Sequence, residues 1–240
     1  MHISAYNSFR NFKKVYLDTA QLKDPLKIIE IGSLNINSSI KDLLKEERFV
    51  YKGLDIESGP NVDVVLQDPY KFPIEDNSID VVISISTFEH TDFFWQSFLE
   101  ILRVLKPTGL FFLNVPSNSH FHRHPVDSWR FYPDSASSLI KWGKLNNFNC
   151  SNLEHYTNFE KGRDIWNDYV SVIIKDKKFN HIYPSRIIDF YKNFTNGRKN
   201  DEEEFINFRK VPQDQSNWGW KLYYKLRRRF WKLKNKFNLI

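Results

Sequence analysis

An α/β fold with a doubly wound, mostly parallel seven-stranded sheet is predicted by three observations. Short runs of β-branched residues alternate with helical patterns through residue 146, two further runs then follow without a helix between them, and four runs stop at polar or acidic residues. Strictly alternating strands and helices build parallel sheets covered on both faces, and a closing strand pair adds an antiparallel edge.

The elements follow in order. Phe9, Phe12, Tyr16 and Ala20 recur at three- and four-residue spacing in 4–22, so an amphipathic helix is expected to lid or flank the sheet. Lys27–Ile31 (KIIEI) reads as a buried central strand that turns on Gly32, and a helix over about Asn37–Glu47 is expected to aim its first N–H groups back at the strand end. Phe49–Ile56 and the short Val62–Leu66 read as the second and third strands, stopped by Asp68-Pro69. Ile79–Ile85 (IDVVISI) is the strongest strand. It leads through Ser86-Thr87-Phe88-Glu89-His90 into a helix over about Phe93–Leu105, with Lys106-Pro107-Thr108-Gly109 expected to end it. Leu110–Val115 is the fifth strand and Pro116–Pro133 a long loop. Asp134 is expected to cap a helix running to about Asn146 with Leu139, Ile140 and Trp142 inward, and Asn152–Tyr156 and Asp168–Lys175 close the sheet.

Composition bounds the rest. The 240 residues suffice for one well-buried α/β domain plus an appendage, and the 41% hydrophobic and 27% charged content is that of a globular chain. A single cysteine, Cys150, excludes an internal disulfide and a cysteine-built metal site and points to a reducing, cytoplasmic setting. Neither a signal-peptide core nor an apolar run long enough for a membrane span is seen. The net charge of +6 is uneven: 217–240 holds eight cations and no acid, leaving the first 216 residues at −2. The expected organisation is a main domain over 1–178, with 1–24 as its N-terminal helical flank, a linker or irregular extension over 179–216, and a basic amphipathic helix over 217–240.

In parallel sheets of this kind ligands bind beyond the carboxyl ends of the strands, where the strand order reverses. Asp55, at the end of the second strand and 25 positions after Glu30, can accept hydrogen bonds from both hydroxyls of a ribose. That spacing suits dinucleotide-binding folds and S-adenosylmethionine-binding ones alike.

The segments EIGS (30–33), GLDI (53–56), DPYKFP (68–73), DVVISISTFEH (80–90), EILRVLKPTGLFFLNVPS (100–117) and HRHPVDSWRFYPD (122–134) together resemble a class I S-adenosylmethionine-dependent methyltransferase, of the type 11 group. The resemblance covers about 25–146 and extends to 176. It implies a Rossmann-like methyltransferase fold with S-adenosylmethionine as cofactor. Glu30, Gly32 and Ser33 would form the turn under its methionine and ribose parts, and Asp55 would hold the ribose hydroxyls. Ile56 would pack on the adenine, Asp68 would meet the adenine amino group, and Ser86 and Thr87 would lie beneath the sulfonium. The usual second and third glycines of the first loop are replaced by Leu34 and Ile36.

His90 is the first candidate for taking a proton from the methyl acceptor, against a structural role in ordering the loop with Glu89. His124 and Asp127 are alternative bases, and Trp129, Arg130 and Tyr132 are expected to face the acceptor, against a reading in which Trp129 and Phe131 only anchor the loop in the core. Three histidines at alternate positions, His120, His122 and His124, with Asp127 nearby, suggest a metal site. An extended segment spreads such side chains too far apart to converge, so no metal is expected.

No Pro-Pro-Tyr motif follows the fourth strand, which favours oxygen methylation of a saccharide, glycolipid or other small hydroxylated metabolite over a nucleic acid. In the tail, Leu222, Leu226, Phe230, Leu233 and Phe237 share one helical face among lysines and arginines, a pattern suited to an anionic membrane surface, to protein packing or to nucleic acid. The alternatives are a nicotinamide-dependent oxidoreductase, which shares the glycine turn and the Asp55 spacing, and a catalytically degenerate binding module. Acceptor identity and oligomeric state leave no mark in the sequence.

Overall fold

The computed structural model describes residues 2–19, 22, 24–35, 39–118, 120–158, 167–210, 222 and 225–229. Eight strands form one sheet: β1 (Leu26–Ile31), β2 (Phe49–Asp55), β3 (Val64–Val65), β4 (Ile79–Ile85), β5 (Leu105–Pro116), β6 (Ser151–Asn158), β7 (Asp168–Ile174) and β8 (Phe194–Lys199). Their order is β3-β2-β1-β4-β5-β7-β6-β8. The first five run parallel, while β7 runs against both β5 and β6, and β8 runs against β6. Order reverses between β1 and β4, which opens a crevice at their carboxyl ends.

The apolar residues divide between the faces as the pleat requires. Ile28 on β1, Val81 and Ile83 on β4 and Phe112 on β5 meet α1 (Ile3–Phe12) and the π-helical turn Lys13–Leu17 that extends it. The Phe9 and Phe12 rings lie 5.6 and 4.7 Å from that of Phe112. Ile29, Val82 and Phe111 point the other way, onto α2 (Phe94–Val104) and α3 (Ser135–Leu145). The N-terminal helix therefore flanks the sheet and builds half of its core.

Several local expectations are corrected. The crossover after β1 is a single 3-10 turn, Ile40–Leu44, capped by Ser39, whose Oγ accepts from Lys41 N at 3.0 Å. Only Ile40 and Leu44 of that turn are fully buried, too few anchors for a longer helix, and residues 36–38 lie outside the described ones. The helix does stop ahead of Lys106–Gly109, as expected, but that stretch is already part of β5. α2 ends at Val104, Leu105 already pairs with Ile79, and the chain bulges before Leu110 pairs with Val81. Asp134 does not cap α3 with its side chain but pairs with Arg198 of β8 at 2.8 Å. Trp142, as expected, faces the core, half-buried against it and donating its ring N–H to Trp95 O at 3.0 Å.

The eighth strand lies in the segment expected as linker. Its sequence, FTNGRK, is polar and glycine-containing, a poor strand signal. It is held by Phe194 in the core and by Arg198, whose guanidinium stands 3.6 Å from the Phe205 ring centre. The contacts within the chain define two compact units, Met1–Phe208 and Arg209–Ile240. In the second, Leu222 and 225–229 are helical and exposed; the rest of the expected amphipathic helix lies outside the described residues.

Candidate active site

A cleft of about 590 Å3 lies over the carboxyl ends of β1, β2 and β4. One end is made of strand termini. Gly32 turns the chain at φ 76°, and a Cβ there would stand 2.0 Å from Thr87 Oγ1, so only glycine fits. Thr87 in turn donates to Ile31 O and Ile85 O, each at 3.1 Å, stitching the ends of β1 and β4 together. Ser86 holds φ 51°, a backbone state seldom adopted by a residue with a side chain, at the cleft floor. Asp55 accepts backbone N–H bonds from Leu34 at 2.9 Å and Glu57 at 3.1 Å.

Glu30 is 6% exposed and accepts a hydrogen bond from the Tyr51 hydroxyl. Burial raises its pKa to about 7, the Tyr51 bond opposes the shift, and the neighbouring Asp55 charge adds to it. Leu34, where a glycine is usual, seats its side chain over Gly59: a Cβ at Gly59 would lie 2.4 Å from Leu34 Cδ1. A glycine across the turn makes room for the branch. Ile36 lies outside the described residues.

The other end of the cleft is built by the 3-10 turn Phe88–His90 and by the loop after β5, which contribute His90, Thr91, His120, His122, His124 and Val126. The loop is tied down by polar contacts. Ser128 N and Trp129 N donate to Glu89 O at 2.8 and 3.3 Å, and Phe131 N donates to Pro116 O at 3.0 Å. Arg130 grips Asp127 through both carboxylate oxygens, at 2.5 and 2.8 Å, and also donates to His120 O at 3.0 Å. Burial alone would raise the Asp127 pKa, but the Arg130 and His122 N–H bonds outweigh it and hold the carboxyl at about 2. His90 Nδ1 is bonded to Val126 O, and burial pushes its pKa down, partly opposed by that bond.

Of the residues singled out in the sequence, Glu30, Gly32, Ser33, Asp55, Ile56, Ser86, Thr87, His90 and His124 line one cleft. Five do not. Asp68 sits at the rim, with Oδ1 accepting from Tyr70 N at 2.8 Å, while its neighbours Pro69 and Tyr70 form the wall. Asp127 and Arg130 are committed to each other, so neither is presented as a base or a ligand for the acceptor. Trp129 bonds Thr91 O at 3.1 Å and packs edge-on against Phe94 and Trp95, and Tyr132 is half exposed outside the cleft. Unforeseen contributors are Leu66 and Tyr70, which line the cleft, and Tyr51, which stands behind Glu30; Glu89, expected to order the loop, is buried behind His90. Tyr51 carried no local signal.

The residues suit S-adenosylmethionine. The glycine turn leaves the cleft floor free of side chain, the Ser33 hydroxyl is buried with no hydrogen-bond partner, and acids stand at the ends of β1 and β2. Residues 38–113 match the family model of a methyltransferase domain. No curated protein matches the chain. Among solved structures, an S-adenosylmethionine-dependent methyltransferase from Archaeoglobus fulgidus is similar at 14% identity, over 72% of this chain and 93% of that one, with a TM-score of 0.53. The [4+2]-cyclase SpnF is similar at 12% identity over 72% and 82%, with a TM-score of 0.51. The Haemonchus contortus phosphoethanolamine N-methyltransferase 2 is similar at 14% identity over 71% and 52%, with a TM-score of 0.50. A cyclase among these neighbours shows that the fold alone does not set the reaction. The matched segment, the sheet order and the position of the cleft agree: residues 38–113 match a methyltransferase domain, and the sheet has the fold of S-adenosylmethionine-dependent methyltransferases.

Proposed function

We propose that the protein methylates a hydroxyl of a saccharide, glycolipid or other small hydroxylated metabolite. The observation that carries this reading is the division of the cleft into an end with acids on strand termini and an end with histidines on a loop. S-adenosylmethionine supplies a methyl group on a positive sulfur: the S–CH3 bond breaks as the O–CH3 bond forms, and the hydroxyl proton leaves. The chain must then hold the cofactor, align the hydroxyl and accept the proton.

On this reading Gly32, Ser33 and Glu30 underlie the methionine end, Asp55 holds the ribose and Ile56, half exposed in the wall, covers the adenine. Ser86 and Thr87 form the floor at the reacting centre. His90 donates Nδ1–H to Val126 O, which leaves the Nε2 lone pair for the proton, and His124 is the second group able to take it. Asp127 and Arg130 position the loop. The basic segment 217–237 supports recruitment to an anionic membrane surface from the cytoplasmic side. No helix among the described residues is long and apolar enough to cross a membrane.

Isothermal titration with S-adenosylmethionine and its demethylated product tests the cofactor half. Asp55→Ala should weaken binding roughly 10- to 100-fold, the worth of one or two charge-assisted hydrogen bonds. No binding by the wild type at millimolar ligand would sink the reading, and binding without turnover on any hydroxylated acceptor would make the chain a binding module. Liposome flotation of the full chain against a 1–215 truncation tests the tail, with equal flotation removing the membrane role.

A further inference from the structure

At the acceptor end of the cleft, Glu89, His90 and His122 each bring one metal-ligating type of atom to within 4.8 Å of the others. His90 Nε2 lies 3.8 Å from Glu89 Oε1. Ligands held at about 2.0–2.2 Å from a tetrahedral ion stand roughly 3.3–3.6 Å apart, so the three groups need about an ångström of closure.

The surroundings prepare each group for a cation. His90 Nδ1 is bonded to Val126 O, which places the proton there and leaves Nε2 as the ligating nitrogen. His122 Nδ1 stands 3.4 Å from Asp127 Oδ2, and Arg130 fixes that carboxylate. A carbonyl or carboxylate behind each imidazole is the outer arrangement that orients metal-binding histidines. Glu89 is 1% exposed, and its Oε2 is buried with no hydrogen-bond partner. Such an oxygen lacks the compensation that burial of a carboxylate demands.

We propose that Glu89, His90 and His122 bind a divalent transition-metal cation of the class imidazole and carboxylate favour, zinc foremost, at the acceptor end of the cleft. The alternate histidines of the loop do not converge on an ion by themselves; the turn after β4 supplies the other two ligands. Three protein ligands leave coordination positions open, and on the methyl-acceptor reading above, an acceptor hydroxyl would take one of them and lose its proton more readily. His90 would then be a ligand, and His124, with its ring 6.5 Å from that of His90, the proton acceptor. Metal binding itself does not depend on that reading.

The test uses the untagged full chain, stripped with a chelator and titrated with zinc chloride by calorimetry, then with cobalt(II) by visible absorption. One cation per chain is expected, with at least a tenfold loss of affinity in His122→Ala and in Glu89→Gln, and no change in His181→Ala. Because Glu89 is buried, its variant counts only if its circular-dichroism melt is cooperative; otherwise His122→Ala, a change at a half-buried loop position, decides. No stoichiometric uptake by the wild type, or equal affinity in His122→Ala, overturns the proposal. Cofactor binding measured on the same samples separates the two readings: uptake of S-adenosylmethionine without any of metal overturns this site and leaves the methyltransferase reading standing.

Discussion

The two ends of the cleft are built by different means. The end proposed for the cofactor consists of the termini of three adjacent parallel strands, and its shape is set largely by backbone groups: Gly32 N and Ser33 N both donate to Leu54 O, Leu34 N donates to the Asp55 carboxylate, and the Thr87 hydroxyl donates to the carbonyls on either side. The end proposed for the acceptor is a loop from beyond β5 folded back over the turn after β4; backbone bonds to Glu89 and Pro116 anchor it, and side chains set the rest: Arg130 on Asp127, His90 on Val126, Trp129 on Thr91. A backbone-built end should tolerate most side-chain changes and fail at the one position where space is absent. A side-chain-built end should fail piecemeal as individual contacts are removed.

The sharpest break is expected at Gly32→Ala. The new Cβ would meet Thr87 Oγ1 at 2.0 Å and Cγ2 at 2.7 Å in a left-handed backbone, so Thr87 must abandon both carbonyls. A loss of about 3–5 kcal/mol is expected, with cofactor binding lost as well. A thermal melt within about 1 kcal/mol of wild type would contradict the backbone account.

Next in size is the pH response of Glu30. Its folded pKa of about 7 stands above the ordinary value of 4.5, so the protonated form is the one the fold prefers. The stability it contributes is full below about pH 4.5 and is lost as pH rises through about 7, on the order of 3 kcal/mol in all. Glu30→Gln keeps a neutral partner for Tyr51 and should remove that slope. Melting temperatures compared between pH 4.5 and 8 check it, and parallel curves for the two proteins would show that Glu30 is not the group responsible.

The same contrast explains what can be read from the residues alone. Strands buried on both faces appear as Ile- and Val-rich runs, so β1, β4 and the acids at the ends of β1 and β2 stand out, and Glu30, Gly32, Asp55 and Thr87 fall into one cleft. The loop is recognisable as functional from its histidines and aromatics, but not which of them face inward. Arg130, expected to face the acceptor, instead neutralises Asp127, because a carboxylate whose side chain is 1% exposed needs a cation against it. β8 is illegible for a related reason: its pairing depends on distant contacts of Phe194 and Arg198 and not on its own propensity.

For the acceptor end, Arg130→Leu should cost about 2 kcal/mol, less than the full penalty for a stranded buried charge because Arg130 is itself 22% exposed. The double variant Arg130→Leu, Asp127→Leu should recover part of that loss, since no charge is then left without a partner. Denaturant titrations of the four proteins close the cycle, and strictly additive losses would mean that the pair does not hold the loop.

The smallest effect is expected at the position that departs most from the family pattern. Leu34 replaces a glycine, yet its backbone N–H reaches Asp55 at 2.9 Å and its side chain rests where Gly59 leaves room. If the cofactor end is built by backbone, Leu34→Gly should leave the affinity for S-adenosylmethionine within about threefold, because the N–H to Asp55 is kept, and should lower stability by about 1 kcal/mol through lost packing and a freer unfolded chain. Calorimetry and a denaturant melt measure the two quantities. A large gain in affinity would mean that the leucine side chain obstructs the cofactor, which would move Leu34 from a tolerated substitution to a determinant of how tightly this domain binds.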